Sequence, residues 1–264
     1  MIKEYYQGLS KDSPNYKRQL EYLVLNEESY RQLYDGVESQ ILGDSSITYL
    51  FRYENAIENI LKYSGRDTKI LFILREPVSR LKSQYQYIVE LGFENQELRR
   101  ALEIEEYRLS KNWSSIFAYK QQGLYAPGIK AFMEAFEDVH VMFFEELIAD
   151  PAAQMEKVNQ FLGISHTELS ADLTFNKSGI PRNRAVHHLL MTKNPLRTVL
   201  AKAMRSFVSE DRLLLLRDKV RGMNQRRNSG IEIPDDLNLS LKAFYKEDQK
   251  ALERLLGRTL PWTA

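Results

Sequence analysis

The stretch Lys69 to Tyr85, KILFILREPVSRLKSQY, limits what this chain can fold into more than any other. Ile70 to Leu74 is an unbroken apolar run, which reads as a buried β-strand. It meets Arg75 without a spacer, and Pro77 then stands in a helix's first turn, where its fixed φ and missing N–H are tolerated. A strand passing straight into a helix places Arg75 at the strand's carboxyl end, the side on which open α/β sheets bind ligands. The N–H groups beside Pro77 at the helix start point to the same spot, and a helix N-terminus favours an anion. Ser83, about two turns further on, adds a hydroxyl donor. Such a turn suits a phosphate. The plainer alternative is an ordinary strand-to-helix turn with an exposed arginine and a solvent-facing serine. Arg80, on the same helix, reads as an ion-pairing residue.

A second strand is expected over Val139 to Phe144, ending in Glu145 and Glu146. Pro151 opens a helix that runs to Phe161, and Gly163 closes it. Glu145 is placed to pair with a basic residue of the first helix. Glu54 to Tyr63 reads as a helix with Ala56, Ile57, Ile60 and Leu61 on one face and Gly65 just past its end. Gln96 to Leu109 reads as a charged helix, and Leu237 to Trp262 as an amphipathic helix and tail. Helical spacing is weak over Tyr16 to Leu25 and Glu27 to Tyr34.

At 264 residues the chain is one domain, or one with appendages, with room for a substantial core. Its 37 basic and 36 acidic residues nearly cancel, so no global field points to nucleic acid as a partner. Without cysteine there is no disulfide and no thiolate metal site, which fits a reducing compartment. No run of 18 apolar residues occurs, and the opening IKEYYQG is neither a signal peptide nor an anchor; the expectation is a cytoplasmic chain with no transmembrane segment. The charge asymmetry is local. From Arg182 to Arg227 there are 12 Lys or Arg against Glu210, Asp211 and Asp218. That excess is the solvated face of helices over Pro195 to Phe207 and Asp211 to Met223, or an attractor for an anionic ligand. His187 and His188 have no metal-like partner spacing and read as structural.

Taken together, these motifs carry a resemblance. R-x-P-x-x-R-x-x-S-x-Y directly after an apolar strand resembles the 3′-phosphate-binding segment of sulfotransferases that use 3′-phosphoadenosine 5′-phosphosulfate (PAPS). The block from Gly123-Leu124-Tyr125 through V-x-V-M-F-F-E-E-L-x-x-D-P to Phe161-Leu162-Gly163 is similar to the second half of their core. Phe175 to Arg184, FNKSGIPRNR, resembles the N-x-S-G-x-P-R loop of bacterial members, and Tyr245 to Trp262 resembles their closing Y-x-x-D-x-x-x-L-x-x-x-L-G-R-x-L-x-W.

The resemblance implies an α/β, P-loop-NTPase-like sulfotransferase fold, with a central parallel sheet flanked by helices. It implies a single domain over 1–264 that includes the basic helical segment 183–230. Arg75 and Ser83 would grip the donor's 3′-phosphate, and the loop bearing Ser178, Gly179 and Arg182 would close over the nucleotide. Lys3-Glu4 with Tyr5 and Tyr6, then Asn15 and Tyr16, resemble the family's opening segment. Glu4 is thus the candidate general base that takes the proton of an acceptor hydroxyl or amine. PAPS is the implied co-substrate, no metal is needed, and the acceptor is a carbohydrate or other small molecule. In this family Trp113, Phe117, Tyr119 and Tyr125 fall in the region that bears on the acceptor, although aromatics at such spacing are more often core. Gly43, Asp44, Ser46, Tyr49 and Leu50 match a loop that closes against the transfer site, with Ile47 in place of its proline and Ser45 where some members carry a lysine. Arg226 and Arg227 fall where related enzymes place a second phosphate-contacting loop.

One departure is large. The family's first strand and Gly-Thr-rich loop, which cradles the 5′-phosphosulfate and supplies a lysine, match nothing before Lys3, and no G-x-x-x-x-G-K-[ST] occurs in the 264 residues. An N-terminally shortened sequence is the expectation. A replaced loop, or a non-catalytic relative that binds a nucleotide or sulfated ligand, is the alternative. A nucleotide-dependent kinase fits less well, because no Walker loop or metal-binding acidic pair follows a strand.

Overall fold

A computed structural model describes residues 10–13, 16, 24, 26–39, 41–165, 180–181, 225–226 and 231–263. In chain order its elements are α1 (Glu27–Gln32), α2 (Tyr53–Tyr63), β1 (Ile70–Leu74), α3 (Pro77–Glu90), α4 (Leu98–Glu103) and α5 (Glu105–Ser110). Two 3₁₀ turns, Ser115–Phe117 and Gln121–Gly123, lead to α6 (Ala126–Ala135), β2 (Val139–Phe143), α7 (Phe144–Ala149) and α8 (Pro151–Leu162). The short strands β3 (Ile180–Pro181) and β4 (Gln225–Arg226) and the long helix α9 (Asp235–Leu256) follow.

The centre is a parallel pair, with β1 in register on β2 from Ile70 opposite Val139 to Leu74 opposite Phe143. Parallel strands need a crossover, here the chain from α3 to α6, so the architecture is α/β with helices packed on the sheet. One face of the pair carries Ile70, Phe72 and Leu74. It is covered by Ile129 and Phe132 of α6, Ala56 of α2, and Leu252 of α9 with Leu260 beyond it. The strand read as buried is therefore buried on one face only: Leu71 and Ile73, which alternate to the other face, are 37% and 53% exposed.

Helix ends follow local chemistry. Asn26 caps α1 by accepting from the Ser29 N–H at 2.8 Å. Asp150 caps α8 in the same way through the Ala153 N–H at 3.0 Å, and Gly163 closes that helix at φ 73°, a left-handed conformation that only glycine adopts without strain. The charged helix expected over Gln96 to Leu109 is broken at Ile104 (φ −94°, ψ 5°) into α4 and α5. The break turns Glu105 inward. Its carboxylate, fully buried, accepts from the Lys120 and Gln121 N–H groups at 2.8 and 3.0 Å.

A second buried polar group sits in the core that α3, α4 and α9 share. Arg108 binds Glu94 through both terminal nitrogens, at 2.5 and 3.0 Å, with side chains 5% and 0% exposed. The Tyr119 hydroxyl donates to the same carboxylate at 2.9 Å, and the Asn95 and Gln96 N–H groups donate to it at 3.0 and 2.9 Å. Trp113 and Phe117 lie over the guanidinium at 4.9 and 5.1 Å.

Gly128, on α6, packs closely against Leu50. A Cβ there would meet the Leu50 backbone oxygen at 2.8 Å and its Cδ1 at 2.7 Å. The backbone atom cannot swing aside. Gly128→Ala is therefore expected to lower stability by about 1–3 kcal/mol by overpacking, against a gain of about 1 kcal/mol in helix propensity. Urea unfolding of the two proteins measures the difference, and a more stable variant would contradict the close packing of α6 on residue 50.

Among the described residues no helix is long and apolar enough to cross a membrane.

Candidate functional site

Because Leu74 pairs with Phe143, the next residues, Arg75 and Phe144, emerge side by side at the carboxyl edge of the sheet. The Arg75 guanidinium lies over the Phe144 ring, 4.7 Å from its centroid. Its Nε is buried and has no hydrogen-bond partner. A buried, unsatisfied donor on a permanent cation is costly unless an acceptor arrives, and an anionic oxygen is the acceptor that best meets it. Ser83 follows on α3, half-buried, its hydroxyl making no hydrogen bond to a described residue.

Two residues of the segment read from the sequence as a loop lie near this helix. Ile180–Pro181 passes within 8 Å of α3, Cα to Cα, and pairs antiparallel with Gln225–Arg226. The backbone of Ile180–Pro181 thus lies near the helix that carries Ser83, with Arg226 paired to Ile180. Ser178, Gly179 and Arg182 themselves, like Glu4, lie outside the described residues, as do Lys3, Lys177, Arg184, His187, His188 and Arg227.

Three expectations are corrected here. The first N–H groups of α3 do not await an anion, because Glu76 takes them: its carboxylate accepts from Val78 N–H at 2.9 Å and Ser79 N–H at 2.6 Å. The helix start already holds a negative charge of its own. Among the described residues Arg80 forms no ion pair and is bonded to neutral acceptors, donating to Gln84 Oε1 at 2.5 Å and to the Tyr119 carbonyl. Glu145 is held by the backbone, accepting from the Glu76 N–H at 2.9 Å, while its Oε2 is buried without a partner. The visible signal for the first was a glutamate standing immediately before a proline at the first helical position.

The turn is fixed from the other side as well. The Tyr125 hydroxyl donates to the Arg75 carbonyl at 2.8 Å. Burial pushes that hydroxyl up to about 12, so it stays protonated as a donor at neutral pH. Tyr125 is in turn held by α9, where Asp248 accepts from the Tyr125 and Ala126 N–H groups at 2.8 and 3.1 Å. Burial also raises the Asp248 carboxyl, against the lowering effect of those two bonds. One turn earlier on α9 the Tyr245 hydroxyl donates to the Lys120 carbonyl at 3.0 Å.

Of the four aromatics in the acceptor region, Phe117, Tyr119 and Tyr125 are buried and Trp113 is half-buried against Arg108, so the core reading holds for them. In the 43–50 loop Asp44 accepts from the Tyr49 hydroxyl at 2.5 Å and the Tyr30 hydroxyl at 3.3 Å, tying the loop to α1. Burial and the neighbouring Tyr34 hydroxyl raise Tyr30 far above the usual tyrosine range. Ser46 bonds Thr48 at 2.9 Å in a local turn, and Ser45 is exposed.

The profile of one protein family, described as "Sulfotransferase domain", matches residues 55–205, which include β1, Arg75, Ser83 and the 178–182 loop. A mouse protein, heparan sulfate glucosamine 3-O-sulfotransferase 3A1, is 26% identical over 153 residues, 55% of this chain and 37% of that protein. The human heparan sulfate glucosamine 3-O-sulfotransferase 3B1 is 28% identical over 131 residues, 44% of this chain and 30% of its own length. The matches thus span about a third of those relatives. A crystal structure of a sulfotransferase from Alicyclobacillus acidocaldarius superposes with a TM-score of 0.68, covering 98% of this chain and 84% of that one at 24% identity, which places the two in one fold.

Proposed function

Since the chain belongs to the sulfotransferase domain family, we propose that it moves a sulfuryl group from PAPS to a hydroxyl or amine of a carbohydrate. The supporting observation is Arg75: a guanidinium at the carboxyl edge of a parallel strand, stacked on Phe144, with a buried Nε that lacks an acceptor. Ser83 on the following helix supplies a second donor toward the 3′-phosphate. Ser178, Gly179 and Arg182 are assigned to the loop that covers the nucleotide, and Glu4 to the base that accepts the acceptor's proton. PAPS, when bound, supplies an activated sulfuryl group with 3′-phosphoadenosine 5′-phosphate as its leaving group. This chain's residues bind and orient it, and positioning with charge stabilisation provides most of the rate enhancement in such displacements. The carbohydrate acceptor rests on the relatives, whose names specify a glucosamine in heparan sulfate.

Calorimetric titration with 3′-phosphoadenosine 5′-phosphate tests the donor site. The parent is expected to bind at about micromolar strength, near −8 kcal/mol. Arg75→Ala is expected to weaken this about 10- to 100-fold and Ser83→Ala about tenfold, from loss of charge-assisted hydrogen bonds. Unchanged affinity in a folded Arg75→Ala would overturn the assignment. Transfer of label from PAPS to a glucosamine polysaccharide, with Glu4→Gln as the inactive comparison, tests the reaction. Nucleotide binding without any transfer would mark instead a non-catalytic relative.

A further inference from the structure

We propose that Tyr125 and Glu145 are positioning residues that aim Arg75 by gripping the single peptide group between Arg75 and Glu76. The inference rests on the reading of Arg75 as a donor-binding residue. Tyr125 donates to the carbonyl of that peptide at 2.8 Å, and Glu145 accepts from its N–H at 2.9 Å. A trans peptide is planar and its two polar groups point opposite ways, so bonds at both ends stop the plane from rotating. The position matters. ψ of Arg75 and φ of Glu76 are the dihedrals through which β1 turns into α3, and the peptide between them sets the angle between the Arg75 side chain and the helix that carries Ser83.

The strand ladder cannot do this, since its last pair is Leu74 with Phe143. The grips come from two other elements: Tyr125 is the residue before α6, anchored by Asp248, and Glu145 lies in the first turn of α7. Glu76 completes the turn by fastening its carboxylate to Val78 and Ser79. A phosphate bound by Arg75 and Ser83 together requires both donors at once, and small misplacements of such a pair are costly.

The readout is the 3′-phosphate discrimination ratio, the affinity for 3′-phosphoadenosine 5′-phosphate divided by that for adenosine 5′-phosphate. Loss of general stability lowers both affinities and leaves the ratio alone; a misaimed Arg75 lowers the ratio. Tyr125→Phe and Glu145→Ala are each expected to reduce it about tenfold, the loss of one buried hydrogen bond at the turn. Glu145→Gln keeps an oxygen for the Glu76 N–H and is expected to stay within about threefold of the parent. Tyr245→Phe loses its bond to Lys120 but touches neither end of the peptide, and its ratio is expected to match the parent. Melting temperatures confirm folding, and should Glu145→Ala not fold, Tyr125→Phe, which removes one hydroxyl, decides. A folded Tyr125→Phe with the parental ratio overturns the proposal. A parental ratio in Arg75→Ala instead removes the donor-site reading, and the proposal with it.

Discussion

Glu94→Ala is expected to lower the free energy of unfolding by about 3–5 kcal/mol, a large part of what holds an ordinary domain together. The substitution leaves the Arg108 guanidinium in the core, 5% exposed, with no carboxylate facing it. It also strands the Tyr119 hydroxyl and the Asn95 and Gln96 N–H groups, which all donate to Glu94. The cost arises from uncompensated burial rather than from the net worth of the pair, and this yields a second expectation. Replacing both partners with apolar residues of similar volume, Glu94→Leu with Arg108→Met, is expected to recover most of the loss. Urea unfolding followed by Trp113 fluorescence suits the measurement, because that ring lies 4.9 Å from the guanidinium. A Glu94→Ala protein within about 1 kcal/mol of the parent would show that solvent reaches Arg108 and that the pair is not the buried unit described.

Phe132→Ala is expected to cost about 3–5 kcal/mol for a different reason, an unfilled cavity. Phe132 is 1% exposed, meets Phe72 edge-on at 4.9 Å and stacks on Phe136 at 5.7 Å, so it fastens α6 to the face of β1. Its cluster gathers around Ile70, at the opposite end of the strand from Arg75. Nucleotide affinity should therefore match the parent wherever the variant is folded. A fall in affinity at full folding would mean that the packing of α6 reaches the turn through Tyr125.

The parts of the fold readable from the chain were those in which a single segment determines its own state. Ile70–Leu74 is apolar and bounded, Pro77 marks the next helix's first turn, and Gly163 ends α8 in a conformation that favours glycine. The positions of Arg75 after β1 and of Ser83 on α3 were legible for the same reason, while the phosphate-binding role given to them came from the family resemblance. Charged residues misled wherever a distant partner decided the outcome. Glu105 and Arg108 look like the solvated face of one helix, yet the fold buries them together with Glu94, because the backbone N–H groups of residues 95–96 and 120–121 and the paired guanidinium satisfy the carboxylates. The same is true of Arg80, whose acceptor on Tyr119 is 39 positions away, and of Glu145, whose donor is 69 positions away. Exposure of Leu71 and Ile73 could not be read from an apolar run either, because burial of the second face depends on whether another layer packs on it.

The anchoring of residues 120–126 by α9 bears on the order in which this protein is made. The bonds from Asp248 to the Tyr125 N–H and from Tyr245 to the Lys120 carbonyl span 123 and 125 positions. Translation adds about 5–20 residues per second, so a ribosome spends several seconds beyond Tyr125 before Asp248 exists. During that interval the two parallel strands can pair, yet the tyrosine that steadies Arg75 has no carboxylate to seat it. A chain released before Asp248 is added would therefore carry Tyr125 without the carboxylate that holds its N–H.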